Sequence, residues 1–296
     1  MIRLLELLVN GVSLGLLYAL ITLGFVIVFK ATRVVNFAHA SFLLLGVYVV
    51  AVAQPLLGFA AAALLGLAVA GLLGLATERL LLARVDRHNH HAMAILTIGL
   101  NVVLTAELTR RLGEQVLPLG APWDGHVVHL GSLTLPLTVV ITVVAVPVLI
   151  GGLTALLTLT GWGLAMRASI ADAEGAALAG IRLRRVSATA WVLGGLLATA
   201  AGIGLASFPS PGVSLSMESV AIAAFPAAII GGFDSLGGAI AGGLIVGVVQ
   251  VLVAGHQDSL AFLGLGAGDV VAYLVMIVVL LWRPSGLFGS KEFSRV

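Results

Sequence analysis

Cysteine is missing altogether from the 296 residues, which excludes disulfides and thiolate metal sites. Charge is nearly as scarce: Asp, Glu, Lys and Arg make up 9% of the chain, against roughly 25% in soluble domains. No hydrophilic stretch is long enough to fold as a separate soluble domain, and no G-x-x-x-x-G-K-[ST] phosphate loop occurs. If ATP energises this protein, another chain must hydrolyse it. What is abundant is apolar: 60% hydrophobic residues and 37 glycines, with a mean hydropathy of +1.17. That is the composition of an integral protein that crosses the bilayer many times. The net charge of +2 is spread over the ends of apolar runs rather than gathered in one patch, which argues for topology and against a nucleic-acid partner.

A span takes about 20 mostly apolar residues. On that measure segments fall near Leu4–Phe29, Ala40–Ala53, Leu56–Leu82, Ala92–Thr109, Leu133–Leu159, Ser187–Ala206, Val220–Gly232, Leu236–Ala254 and Val270–Trp282. The chain reads as one all-α transmembrane domain over residues 1–296, a helical bundle of about eight or nine segments. Ala40–Ala53 and Val220–Gly232 are short and read as half-helices or parts of broken helices. The first run outlasts a signal peptide and has no small-residue cleavage site after it, so it is expected to be retained.

Lysine and arginine stay on the cytoplasmic side of a membrane. The loop Arg84–His91, the segment Met166–Arg185 and the tail Arg283–Val296 are basic, whereas Gly113–Ser132, Ser207–Ser219 and Gly255–Gly268 contain no Lys or Arg. The first group is expected inside and the second outside, which puts the C-terminus in the cytoplasm and the N-terminus, with Arg3, outside. No internal repeat is evident.

The most polar part of the chain, about residues 160–186, contains the stretch MRASIADAEGAALAGIRLRR. Ser169 and Asp172 have capping-box spacing, which predicts a helix from Ile170 to Ala179. Asp172 and Glu174 suit its positive end, and Gly180 is placed to end it in a left-handed turn. Met166, Ile170, Ala173, Ala177 and Ile181 form a small apolar face. Such a helix either rests at the headgroups, with its arginines on anionic lipid, or docks into a groove on a partner protein. Small residues where a lipid-resting helix would carry Leu, Phe or Trp favour docking. Gly175 weakens the helix, and alanine is expected to be tolerated there.

The second informative stretch is Gly15–Val49. Asn36, His39 and Ser41 sit among Val35, Phe37, Ala38 and Phe42, with no Pro or Gly to make an ordinary loop. Polar groups at membrane depth are costly and usually face a partner or a solvated cavity. Two readings stand side by side: a helix break lining a solute path, or an Asn36 N-cap for the next helix. Further along, Thr97 and Asn101 are one helical turn apart and suggest a polar strip on the same path.

These residues carry a resemblance. Gly15, Tyr18, Ala19, Leu20, Leu23 and Gly24, followed by Val34, Val35, Asn36, Phe37, Ala38, His39, Ala40, Gly46 and Tyr48, resemble the N-terminal signature of the LivH/LivM permeases of branched-chain amino acid ABC importers. Ala40 stands where the family usually has Gly. ILTIGLNVVL (Ile95–Leu104), AFPAAIIGGFDSLGGAIAGGLIVG (Ala224–Gly247) and RPSGLFG (Arg283–Gly289) are similar to three further family blocks in the same order. Glu174, Gly175, Ala176 and Gly180 resemble the E-A-A-x-x-x-G loop by which such permeases meet their ATPase, with Gly175 departing from it.

The resemblance implies a permease subunit in a bacterial plasma membrane that pairs with a second, LivM-like permease. It also implies two cytoplasmic ATPase subunits, which hold the ATP and Mg, and an extracytoplasmic solute-binding protein. The chain itself would be neither an enzyme nor the holder of a cofactor or metal. Asn36, Phe37, His39, Ser41, Thr97 and Asn101 would line the path; Arg167, Ser169, Asp172, Glu174, Ala176 and Gly180 would couple to the ATPase. The solute would be a branched-chain amino acid, or urea, an amide or a small organic acid. An ion-coupled carrier or channel is the alternative class, and would need ionisable groups deep in the membrane. No Ser/His or paired Asp arrangement at matching depth supports an intramembrane hydrolase.

The remaining features read as structural. Glycines of the Gly231–Gly247 segment suit close helix packing, and Asp234 falls at the inner boundary. Glu78 with Arg79, and Glu107 with Arg110 and Arg111, read as interfacial groups. His88, His90 and His91 cluster without a carboxylate at helical spacing, and read as a solvated boundary rather than a metal site.

Overall fold

The computed structural model describes residues 2–86, 89–131, 133–209, 211–257 and 266–289. Within them run α1 (Ile2–Thr32), α2 (His39–Leu57), α3 (Phe59–Ala76), α4 (His90–Leu112), α5 (Leu137–Leu159), α6 (Gly161–Ala171), α7 (Ala173–Leu178), α8 (Leu183–Leu205), α9 (Ser216–Ala223), α10 (Phe225–Gly231), α11 (Leu236–Gly255) and α12 (Ala267–Trp282). A π turn, Thr77–Leu81, and a 3-10 turn, Leu82–Arg84, extend α3. Among the described residues seven helices are long and apolar enough to cross a membrane, and Ser216–Gly231 and Ala267–Trp282 are shorter apolar segments.

Every expected segment has a helical counterpart, and two differ in detail. The segment expected as short, Ala40–Ala53, is the full-length α2, because Pro55 falls in its last turns and interrupts little of its hydrogen bonding. Val220–Gly232 is broken as expected: α9 ends at Ala223, and α10 restarts at Phe225 with Pro226 in its first turn. Leu133 does not begin a span. Leu133–Pro136 is β2, paired antiparallel with β1 (Val127–Leu130) in register Val127 with Pro136, a small hairpin added to an otherwise helical chain.

The span of α1 is 89% buried, against 17% for α4 and 22% for α5. An apolar helix wrapped by protein on all sides is the centre of a bundle, and one bare on most of its surface is at its edge. Around α1 pack α8 and α11; α8 also carries α2 and α3. Arg3 at the start of α1 donates from Nη2 to the Gly255 carbonyl at the end of α11, 3.0 Å, so the two helices run antiparallel. At the other end Lys30 donates to the Asp234 carbonyl just before α11, 2.5 Å, with Phe29 against Phe233.

The contact between α1 and α11 is made backbone to backbone. A methyl on Gly247 would meet the Gly15 nitrogen at 2.2 Å, one on Gly15 the Leu244 Cα at 2.8 Å, and one on Gly243 the Ala19 nitrogen at 2.5 Å. A second seam joins α10 to α11, where methyls on Gly238 and Gly242 would meet the Gly231 and Ala227 carbonyl oxygens, each at 2.1 Å. Gly231, Gly238, Gly242, Gly243 and Gly247 therefore serve helix packing, as expected. In lipid this matters doubly, because dispersion at close range must do what hydrophobic burial does in water.

Gly247→Val should lower the detergent-solubilised protein's thermal midpoint by 10 °C or more or abolish folded expression, since the added atoms meet backbone that cannot rotate away. Gly99→Ala on α4, with nothing within 4 Å of the added methyl, should leave the midpoint unchanged or raised.

Candidate translocation site and coupling segment

The chain turns at residues 33–38 without Gly or Pro, by two local devices. Arg33 adopts φ 58°, a left-handed conformation unusual for a non-glycine residue, and Val34 N–H donates to Thr32 Oγ1, 3.3 Å. Asn36 Oδ1 then accepts from Ala38 N–H, 3.0 Å, and the Asn36 carbonyl accepts from His39 N–H, 3.2 Å. Asn36 thus forms a turn just ahead of α2, whose N-cap is Ala38. Asn36 is therefore not the N-cap that its residue type suggested: its side chain closes a turn two residues before the helix, and the break reading is the one that stands.

The break folds back into the bundle. A methyl on Gly24 would meet the His39 ring at 2.5 Å, and the His39 and Phe25 rings lie 4.4 Å apart. Gly24 is two turns up α1 from Thr32, roughly 12 Å at about 1.5 Å per residue. Asn36, His39 and Ser41 are all buried. Ser41 donates to the Ala38 carbonyl, 2.9 Å, and so serves the first turn of α2. Asn36 Nδ2 has no hydrogen-bond partner among the described residues, and the His39 ring faces the Ile21 backbone on α1. Phe37 is the member that reaches a surface, 42% exposed, with its ring 6.3 Å from Phe225.

Thr97 on α4 holds the break. It is fully buried, its hydroxyl accepts from Phe37 N–H at 3.2 Å and donates to the Ala94 carbonyl at 2.8 Å, with the Val35 carbonyl 3.4 Å away. One and two turns further along α4 stand Asn101 and Thr105. Asn101 Nδ2 donates to Glu218 Oε1 at 3.2 Å, and Thr105 Oγ1 donates to the same oxygen at 2.9 Å. The expected strip of Thr97 and Asn101 is thus longer than expected and meets an acid. Sequence reasoning passed over Thr105 and Glu218, although a third polar residue at i+4 and a lone acid in an apolar half-helix were visible.

The coupling segment differs from the predicted single helix Ile170–Ala179. It is two helices, α6 and α7, parted at Asp172. Ser169 is not a cap: it lies inside α6 and donates to the Met166 carbonyl, 2.8 Å. The cap of α7 is Asp172, whose Oδ1 accepts from Glu174 and Gly175 N–H, both at 3.0 Å. A methyl on Gly175 would meet Asp172 Oδ2, the carboxylate oxygen that does not cap, so an alanine there requires a small shift of the Asp172 side chain.

Gly180 has φ 84°, and the bonds Ile181 N–H to Ala176 O and Gly180 N–H to Ala177 O close the helix end as expected of a left-handed C-terminal glycine. Of the predicted apolar face, Met166 is buried and Ile170 and Ile181 pack on this chain's own core. Ala176 also turns inward, and Arg167 reaches back to the Leu157 carbonyl. What α7 presents outward is Leu178, 91% exposed.

Between this segment and the foot of the break lies a cavity of about 690 Å³. Lys30, Arg33, Glu78, His90, Glu174 and Arg184 are among its walls, so the end of α1, the end of the third span and the coupling helices share one polar space. Of the histidine cluster, His88 lies outside the described residues, as does the tail from residue 290. At the opposite end Glu107 is bound by Arg110 at 2.8 Å and Arg111 at 2.6 Å, an interfacial group as expected.

A many-spanning bundle with an inward break near its start and a short capped helix at its basic end has the build of a transport subunit. Residues 7–280 match the family described as branched-chain amino acid transport system, permease component. The chain belongs to that family: it is a permease component of an ABC transport system, a multi-pass membrane protein and not itself a catalyst. It is 30% identical to the high-affinity branched-chain amino acid transport system permease protein LivH of Escherichia coli K12, covering 97% of this chain and 96% of LivH. It is 31% identical to permease protein BraD of Pseudomonas aeruginosa, covering 99% and 98%. A probable LivH of Methanocaldococcus jannaschii is 28% identical over 95% of this chain and 91% of its own. No solved structure matches the chain.

Thr97→Val should destabilise the break, leaving the Phe37 amide without its partner at a cost of about 1–3 kcal/mol. Hydrogen exchange at residues 35–39 should accelerate correspondingly, while Thr97→Ser should restore protection.

Proposed function

We propose that this permease pairs with a LivM-like second permease to form the path for a branched-chain amino acid or a related small solute. It is driven by two ATPase subunits that bind α7 and supplied by an extracytoplasmic binding protein. The basic end, with Lys30, Arg84, Arg182, Arg184 and Arg185, faces the cytoplasm, where membrane proteins retain such residues, and the C-terminus lies on that side. The nucleotide and its Mg belong to the ATPases.

The observation that carries this reading is Leu178. A leucine 91% exposed at the tip of a helix capped at both ends by its own backbone and Asp172 is suited to a protein groove. Burying such a side chain contributes about 1.5–3 kcal/mol. Asp172, Glu174 and Gly180 shape and present the tip, while Arg167, Ser169 and Ala176 tie it to the bundle. Movement of α7 is passed through α6 to the cavity walls, and so to the left-handed turn at Arg33 and the break above it. There the burial of Asn36 and His39 inside the apolar bundle supports a role in the moving path, since polar groups at membrane depth are costly and usually face a partner or a solvated cavity.

Leu178→Asp should weaken ATPase binding by roughly 10- to 100-fold, read by co-purification and titration with the ATPase, and should uncouple uptake. In the reconstituted importer, Asn36→Ala and His39→Ala should lower uptake at least tenfold with assembly intact. Normal uptake in both would remove the break from the path, and ATP-independent uptake by this chain alone would overturn the ABC coupling.

A further inference from the structure

Glu218 is a carboxylate in the first turn of α9, one of the two pieces of a broken apolar segment. Its depth can be measured along α4, because Asn101 and Thr105 both donate to it. From His90 at the basic end of α4 the rise to these residues is roughly 16–22 Å at about 1.5 Å per residue, near the middle of a hydrocarbon core about 30 Å thick. An acid at that depth is costly and ordinarily has a cationic partner. Among the described residues Glu218 has two neutral donors and no ion pair with Lys, Arg or His.

Below this carboxylate the same face of the broken segment is apolar and open. Ile222, one turn along α9 on the same face, is 46% exposed. The next turn brings Phe225, whose ring neighbours that of Phe37, itself 42% exposed. One face of the broken segment therefore presents a charge at one end and an aliphatic and an aromatic side chain below it, directly above the break. We infer that Glu218 is the subsite for the cationic ammonium group of the transported solute, with Ile222 and Phe37 receiving its branched apolar side chain. The inference rests on the proposed path and specifies its solute as a primary amine with an aliphatic group, which urea and simple organic acids are not.

Glu218→Gln is the informative variant, because glutamine's carbonyl oxygen can still accept from Asn101 and Thr105 while its charge is gone. A residue that only pins α9 to α4 would be replaced with little loss. In proteoliposomes holding the complete importer, with leucine-loaded binding protein at saturation, Glu218→Gln should lower leucine uptake at least tenfold, and Glu218→Asp should recover much of it. Uptake within twofold of the unaltered importer overturns the proposal. So does failure of Glu218→Gln to assemble, which would make the carboxylate structural. Loss of uptake by the unaltered importer when sodium is replaced by choline would assign the carboxylate to a metal cation and also overturn it. Asn36→Ala and His39→Ala in the same assay separate the two readings. Normal uptake there with loss in Glu218→Gln removes the break from the path and keeps the subsite; the converse keeps the break and removes the subsite.

Discussion

The direct contact of the α1 backbone with the α11 backbone is the constraint on which the rest of the bundle depends. Gly15, Gly243 and Gly247 leave no room for even a methyl group between the two helices, so their register and tilt are set by main chain rather than by adaptable side chains. Arg3 at one end and Lys30 at the other fix the same register by donating to carbonyls flanking α11. With α1 immobilised, the ring of His39 has a rigid wall at Gly24. The break that follows α1 is then held between an unyielding helix and Thr97 of the peripheral α4.

That division between a rigid centre and a looser rim suits a transporter. α1 and α8 are largely buried and α4 and α5 largely bare, so movement costs least at the rim, where few side-chain contacts must be exchanged. The polar groups follow the boundary between the two zones. Thr97, Asn101 and Thr105 line the inward side of α4, facing the break and the broken pair α9 and α10. Conformational change there can alter hydrogen bonding along one strip while the glycine seams stay intact.

The α6–α7 segment meets this strip at the basic end of the bundle without forming one long rigid helix. Asp172 parts α6 from α7 and caps the latter, so α7 is a short knob whose orientation is held by its own end bonds. The cavity behind it brings charged groups of three spans together with the coupling helices. Polar walls that are already solvated can shift with little desolvation, and this space lies between α7 and the end of α1.

Much of this was legible in the sequence. Apolar run length marked the spans, because only helices satisfy their backbone in lipid. Polar residues among apolar ones marked Asn36, His39 and Thr97, and Gly180 marked the end of α7. Local chemistry was insufficient where two neighbours competed for one role: Ser169 and Asp172 both suit an N-cap, and the choice went to Asp172 because α6 runs on from the turn at Thr160 through Ser169. Likewise Leu133 is apolar enough for a span, yet pairing with β1 draws it into a hairpin. What only the tertiary structure decided were the contacts between distant segments. Thr97 with Phe37, and Asn101 and Thr105 with Glu218, join residues far apart in the chain, and their geometry depends on how tightly the glycine seams let the helices approach. The sequence by itself determined which segments enter the membrane and which polar residues go with them; the packing of those segments determined which polar groups meet, since in a uniformly apolar chain nothing local distinguishes one helix face from another.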